Sequence, residues 1–508
     1  MDMCMFDPGY GYYAAGRVKF GTGSDEDYWT FPVRLSPFFG RMMARRVLEI
    51  WQGVRATVEA ADAPFHLVEV GGGMGHMLVD ALDALSTGQL ADAAKELVPR
   101  LKILAVDRSP ALLGQQGDRQ SGLAVQHINA GAEDLASVLP HPFYGVIMAN
   151  ELLTQMSVDV VRVGESDLGS LSVLPWLAEP LWDLTTQGEA PPGFDGLKPL
   201  APGKFPELMA RLAADEALLD RFIKREVVRW SGVLHAPAPD TQQYLDFAAP
   251  VIARVRELGH TPTWVTFLPS LQRVVDALAK TFAGGAGAFI TVDYGGTAQH
   301  VFDRASTLPH LRTFSLRYDD DAALLHDPFR APGAEDMTTD LDFSWLVHLA
   351  ENAGLALGHY AHQAVIETGM DLWETDREAL IQGRIDEGYN KYKAAQEAYY
   401  LVEELRGKGG FRFVALTSPD AATALAALGE SDPVRIDALP FVPATIDRHA
   451  FAKAIAEGLK AHGEQRWSSE VPGAAAAIHA GGSVVDDLAD KGFYRVRRSV
   501  LAALGKIT

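Results

Sequence analysis

The sequence predicts an α/β fold: a parallel β-sheet covered by helices on both faces, interrupted by a mostly helical insertion and followed by a helical C-terminal appendage. Three observations carry that expectation. Strand-length apolar runs alternate with helix-like segments through residues 1–163. The runs are apolar at nearly every position, as strands buried on both faces must be. The same rhythm resumes near residue 281, after a stretch of different composition.

Taken in order, residues 1–40 are rich in glycine, proline and aromatics and read as loops and short turns. FFGRMMARRVLEIWQGV, between Pro37 and about Ala60, has apolar residues at helical spacing. HLVEV is the first strand, and MLVDALDAL and AAKELVPRL are helical. LKILAV is the second strand, PALLGQQ opens a helix, LAVQHIN is the third strand and YGVIMAN the fourth. Together these form an N-terminal motif region and the first half of the main domain. The rhythm breaks over residues 164–280, where PPGFDGLKPLAPGK is a loop and FPELMARLAADEALLDRFIKREVVRW reads as helix. Trp176, Trp182, Trp230 and Trp264 lie in or beside this insertion. That aromatic load suits either a lid over an acceptor pocket or an arm that makes the chain a homodimer. GAFITVDYGG resumes the sheet, FSWLVHLAENAGL is helical, and RFVALT closes the second half at residues 281–417. Residues 418–508 turn alanine-rich and read as the helical appendage.

Composition narrows the function classes. With 508 residues, of which 48% are hydrophobic and 22% charged, the chain reads as a soluble globular protein of more than one structural unit. No run approaches the roughly 18 apolar residues of a membrane helix, so no membrane partner is expected. MDMCMFDPGY lacks the basic and apolar regions of a signal peptide. The single cysteine, Cys4, rules out an internal disulfide and any cysteine-rich zinc site, and a cytoplasmic setting is expected. A formal net charge of −21 disfavours nucleic acid as a partner. The basic stretch RFIKREVVR, Arg221 to Arg229, reads as a solvated helix face. His359 and His362 have a spacing that could hold a metal, but no acid in register joins them, so no metal site is expected.

The densest chemistry lies in HLVEVGGGMGHM, from His66 to Met77. A strand that ends in glycines and enters a helix sets bare backbone amides beside a helix N-terminus, where an anionic or carboxylate group is welcome and a ligand can approach closely. A P-loop would need Lys-Ser/Thr after the last glycine, but His76 and Met77 stand there. A dinucleotide fingerprint from Gly71 would need glycine or alanine at position 76. The spacing that fits is G-x-G-x-G over Gly71, Gly73 and Gly75, preceded by Glu69. That is the first motif of a Rossmann-like, class I methyltransferase sheet that binds S-adenosyl-L-methionine. Three further strand ends support it. Asp107 closes the second strand, where a carboxylate can accept from both ribose hydroxyls, with Arg108 next to it. Ala132 and Glu133, in GAEDL after the third strand, sit where the adenine would lie. Asn150 and Glu151 end the fourth strand, beside the expected methyl position.

These residues resemble the MidA-like methyltransferases, a family that includes a mitochondrial complex I assembly factor that methylates an arginine. FDPGYGYY (Phe6 to Tyr13) is similar to the family's Y-D-P-x-x-G-Y-Y, and DYWTFPVRLSPFFG (Asp27 to Gly40) resembles its D-F-x-T-S-P-E-x-S-P-x-F-G. EVGGGMG, NELL (Asn150 to Leu153), VDYG (Val292 to Gly295) and EDMTTDLDF (Glu335 to Phe343) resemble later motifs, as does GGFRFVALT. The resemblance spans residues 1 to about 417 and implies the fold, the cofactor and methyl transfer. Departures gather on the acceptor side. T-S-P-E becomes Thr30-Phe31-Pro32-Val33, and N-E-x-x-D-A-x-P becomes Asn150 to Ser157 without its second acid or its proline. The helix that usually precedes Y-D-P is absent, and the insertion is longer than its family equivalent.

A cationic guanidinium acceptor would want those acids, because desolvating an unpaired charge is costly. A small-molecule or carrier-tethered acceptor, methylated at oxygen, is therefore expected. The alternatives are an arginine N-methyltransferase of the MidA type and a non-catalytic assembly factor that keeps the fold. Glu151 is the first candidate for a base or acceptor orienter, with Asp293 and Tyr294 second. His76 reads as a helix N-terminal residue without chemistry.

Overall fold

The computed structural model describes residues 1–18, 30–57, 63–164, 168–257, 264–304, 311–314, 332–370, 372–386, 388–407 and 410–439. The first four strands are β1 (Phe65–Val70), β2 (Leu101–Asp107), β3 (Val125–Asn129) and β4 (Tyr144–Asn150). They pair in parallel, with β2 and β4 flanking β1 and β3 outside β2. The insertion contributes β5 (Asp159–Val163), β6 (Leu168–Leu177), β7 (Lys198–Pro199), β8 (Val228–His235) and β9 (Trp264–Phe267). The remaining strands are β10 (Ala286–Gly296), β11 (Arg312–Phe314), β12 (Asp336–Thr338), β13 (Leu341–Asp342), β14 (Ala356–His362) and β15 (Phe411–Thr417).

The main sheet runs β14-β15-β10-β4-β1-β2-β3, with β13 on the end of β10. β15 is antiparallel to both neighbours, and the others from β3 to β10 are parallel. The two-residue period of the strands divides their apolar side chains between two cores. Val68, Val70, Ile147 and Ala149 face one, with helices Ser270–Phe282, Pro239–Glu257 and Phe343–Asn352. Leu67, Val146, Met148 and Ile290 face the other, with helices Phe38–Thr57, His76–Ser86 and Lys391–Gly407. The doubly covered parallel sheet expected from the apolar runs is thus present, and the helix expected from Pro37 starts at Phe38.

The insertion holds helices Phe205–Ala214, Glu216–Ile223 and Pro239–Glu257, and also an antiparallel sheet that the sequence pattern did not reveal. In that five-stranded sheet β6 pairs with β5, β7 and β8, and β5 pairs with β9. The stretch read as helical through Trp230 breaks first at Asp215, which is extended and caps the second helix, and ends before Arg225, whose φ of 59° is left-handed; the chain then enters β8. The helix Ser270–Phe282 packs on the main sheet, so it belongs with the second half of the domain rather than the insertion. A third core joins the insertion to the N-terminal segment. Met5, Tyr10, Tyr12 and Tyr13 bury against Leu177, Leu184, Leu208 and Phe222. A five-residue helix, Asp2–Phe6, precedes the turns expected there. Of the expected C-terminal appendage, residues 418–439 form short 3₁₀ turns, and residues 440–508 lie outside the described residues, as do 19–29.

Tyr244, on a helix of the insertion, ties that region to the main domain. Its hydroxyl donates to Asp342 Oδ2 at 3.0 Å, while Asp342 Oδ1 accepts from the Trp345 amide at 3.1 Å and caps the next helix. Its ring stacks with Phe267 and meets Trp345 edge-on. Replacing Tyr244 by Phe keeps the packing and leaves a buried carboxylate short of one donor. Chemical denaturation is expected to show a loss of about 1–3 kcal/mol.

Candidate active site

The site forms at the C-terminal ends of β1, β2 and β4, where open α/β sheets bind ligands. After β1 the chain turns through Gly71, Gly73 and Gly75 with φ of 67°, 54° and 77°, values that a side chain disfavours. Gly75 is the residue before the helix His76–Ser86. The turn is also crowded. A Cβ on Gly71 would sit 2.6 Å from Leu152 Cδ1, and one on Gly72 would sit 2.5 Å from Glu69 Oε2.

A two-lobed crevice opens over this turn, and Phe6, Gly71, Asp107 and Leu152 belong to both lobes. The lobes hold about 840 and 960 Å³ of space, counting the part continuous with solvent. Glu69, Gly71, Gly73, Asp107, Asn150 and Glu151 line the first lobe. Arg108, Ala132 and Glu133 line the second. The residues expected to hold a cofactor thus fall on the two walls of one crevice, while Gly75 shapes the turn without lining either lobe.

The electrostatics of the first lobe are acidic. Glu69 is buried, and neither carboxylate oxygen has a hydrogen-bond partner. Burial, then the nearby Asp107 and Asp80, push it up to about 8. Asp107 rises to about 6 by burial, relieved by two donors: the Ser109 amide to Oδ1 at 2.9 Å and Gln116 Nε2 to Oδ2 at 3.0 Å. Glu151 rises to about 8, first from burial and then from Asp293. Its φ of 51° is rare for a residue with a side chain, and its amide donates to Val292 O at 2.8 Å. Oε1 accepts from Asn150 Nδ2 at 3.0 Å. His76 lines the same lobe, and burial lowers it to about 4, so it is neutral at physiological pH. No lysine or arginine is among the described residues of this lobe.

In the second lobe Arg108 is paired with Glu133 and lies 4.8 Å from the centre of the Phe6 ring. Arg108 and Glu133 therefore already have partners, and Asp2 and Arg273 line the same lobe.

Asp293 and Tyr294, expected as second candidates for the chemistry, line neither lobe of the crevice. Asp293 is fully buried and takes four donors: the Leu153, Thr154 and Tyr294 amides and the Thr154 hydroxyl. Its carboxylate fixes the turn after Glu151 and has no exposed edge for an acceptor. Tyr294 packs edge-on against Phe411 and under the Arg312 guanidinium. The strand end suggested a site, but β10 continues two residues past it to Gly296 and pairs with β13.

The sequence pattern missed several lining residues, including Tyr13, Leu112 and Gln155. It also missed Gln116, which holds Asp107. Gln116 lies one turn beyond Leu112 on an amphipathic helix, and a glutamine on the buried face was the available signal.

Comparison with known proteins places the chain in a family. The family model described as "Putative S-adenosyl-L-methionine-dependent methyltransferase" matches residues 42–361. The chain belongs to that family. The chain is also similar to the mitochondrial protein arginine methyltransferase NDUFAF7 of Xenopus tropicalis, 28% identical over 132 residues. The corresponding Xenopus laevis protein is 26% identical over 132 residues. These matches cover 25% of this chain and little more than a quarter of each relative, 28% and 27%. Among solved structures it resembles a Burkholderia thailandensis protein described as a "likely methyl transferase" and bound to S-adenosyl-homocysteine. That likeness has a TM-score of 0.53 at 22% identity, covering 85% of this chain and 89% of the other. It supports the fold.

The cofactor of the family is S-adenosyl-L-methionine, and the crevice fits it. Glu69 is a buried acid without a partner, suited to an ammonium group. Asp107 keeps lone pairs for hydroxyls, and the glycine turn leaves the backbone bare. The same acids set a pH dependence. Glu69, Asp107 and Glu151 have folded pKa values above the ordinary carboxylate range, so the folded cofactor-free protein holds more protons than the unfolded chain between about pH 4 and 8. Their contribution to stability is complete at low pH and is lost as pH rises through that window. Thermal melts from pH 5 to 8 should show a shallower fall for Glu69→Gln than for the unaltered protein.

Proposed function

We propose that this methyltransferase transfers the methyl group to the hydroxyl of a small or carrier-tethered acceptor, with Glu151 as the base or acceptor orienter. The observation that carries the reading is the wall beside Glu151. Val33 lines the crevice at the position where the resembling family has a glutamate, next to Pro32. That leaves an apolar wall with Glu151 as its acid, which suits a neutral acceptor better than a guanidinium.

S-adenosyl-L-methionine supplies an electrophilic methyl carbon on a sulfonium. The chain's own residues then have three tasks. The glycine turn, Glu69 and Asp107 bind, with Arg108, Ala132 and Glu133 bordering the nucleoside end and Asn150 steadying Glu151. The strained backbone at Glu151 holds its carboxyl in one direction, which favours an in-line approach. Glu151 would take the acceptor hydroxyl's proton as the methyl group leaves the sulfonium, whose carbon–sulfur bond breaks with the electron pair staying on sulfur. That role needs Glu151 in its ionised form; burial raises it to about 8 in the cofactor-free protein, and a cationic sulfonium beside it would favour the carboxylate.

A second reading, arginine N-methylation, is favoured by one observation: Asp336 as well as Asp293 adds negative potential at Glu151, and a cationic acceptor would gain from it. The curated relatives are arginine methyltransferases, but they match over only 132 residues.

Calorimetry with S-adenosyl-L-methionine and S-adenosyl-homocysteine tests the cofactor part: the unaltered protein should bind both, and Gly73→Val neither. Turnover assays with labelled methyl donor, on hydroxylated small molecules and on arginine-containing peptides in parallel, separate the two readings. Glu151→Gln should keep cofactor affinity and lose about 10²-fold or more in transfer to hydroxyls. Undiminished transfer by that variant would remove Glu151 from the chemistry.

A further inference from the structure

We propose that Gln116 is a positioning residue for cofactor binding, a clamp that holds the glycine turn and the carboxylate of Asp107 in one fixed relation. The inference rests on the cofactor reading above and goes beyond it, since Gln116 does not itself line the crevice. Its amide nitrogen donates to two acceptors at once, Gly73 O at 3.1 Å and Asp107 Oδ2 at 3.0 Å. Both partners can only accept, so the nitrogen must be the atom that faces them. The side chain is completely buried, and its own Oε1 has no partner. A buried amide left with one unsatisfied oxygen is an expensive choice for packing alone. A methionine would fill the same space at less cost.

The geometry explains what that choice achieves. Gly73 belongs to the turn after β1, and Asp107 ends β2. The two are joined in the sheet only as far as the Gly71 amide on Val106 O, at 2.9 Å. Beyond that bond the turn runs free of β2, and Gln116 is the side chain that reaches across to both. The helix that carries it starts at Pro110 and is fixed at its N-terminus: Ser109 Oγ accepts from the Leu112 amide and donates to Tyr13 O at 2.8 Å. The clamp is therefore held by an element outside the turn it sets. It also supplies Asp107 with one of two donors, the other being the Ser109 amide. Among the described residues, the ionisable groups that share the crevice with Asp107 are Tyr13, Glu69, His76 and Glu151 in the first lobe and Asp2, Arg108, Glu133 and Arg273 in the second.

The test uses the full chain and calorimetric titration with S-adenosyl-homocysteine. Gln116→Met should weaken binding about ten-fold, the worth of losing one to two buried hydrogen bonds. Its melting temperature should stay within a few degrees of the unaltered protein. Affinity should also begin to fall at a higher pH on acidification, because Asp107 without the amide donor takes up its proton sooner. In an Asp107→Asn background the same change should cost far less, since the two residues act as one unit. Gln116→Glu, which keeps the shape but sets a carboxylate against Asp107, should bind more weakly than the methionine variant near pH 8. Unchanged affinity in both variants, or equal losses with and without Asp107 and an unmoved acid limb, would overturn the proposal. Failure of the unaltered protein to bind would instead overturn the cofactor reading on which the clamp rests.

Discussion

The constraint on which the site depends is uncompensated negative charge inside the first lobe of the crevice. Glu69, Asp107 and Glu151 are held there by three different strand ends, and no basic side chain among the described residues lines that lobe. Burying carboxylates in this way is costly unless the groups take up protons or a cation arrives. A cofactor that carries an ammonium and a sulfonium removes that cost when it binds. The site is thus suited to a positively charged occupant, and its acids are raised in pKa for the same reason.

The rest of the molecule keeps those acids buried and apart. The parallel sheet brings β1, β2 and β4 side by side, so that residues distant in sequence converge at one edge. Asp293, on β10, uses its carboxylate to fasten the turn after Glu151, which keeps that residue in its left-handed conformation. The N-terminal segment supplies Phe6 and Tyr13 to the crevice, and its tyrosines bury against the insertion. Insertion, N-terminal segment and sheet edge therefore form one wall. The pair Arg108–Glu133 neutralises the mouth of the second lobe without placing a cation near the methyl position.

The sequence alone determined the doubly covered parallel sheet and the glycine turn, because both are written in local patterns. Apolar runs without alternation can be satisfied only by strands buried on both faces. Three alternate glycines after a strand encode backbone angles that other residues resist, and those angles are present. Glu69, Asp107 and Glu151 were legible for a similar reason, since each stands at a strand end and strand ends meet at the ligand edge.

Only the tertiary structure decided which of the strand-end acids faces the crevice. Asp293 and Glu151 look alike in sequence, yet β10 runs on past Asp293 and surrounds its carboxylate with four donors, while β4 stops at Asn150. The antiparallel sheet of the insertion was hidden because β6 and β8 are broken by glycine, serine and proline and are only partly buried. Gln116 and Phe6 were hidden because their roles depend on partners far along the chain: Gly73 and Asp107 for the one, Arg108 for the other. Periodicity reports what a residue's own element requires. A contact between elements is fixed by packing, and packing is a property of the folded chain as a whole.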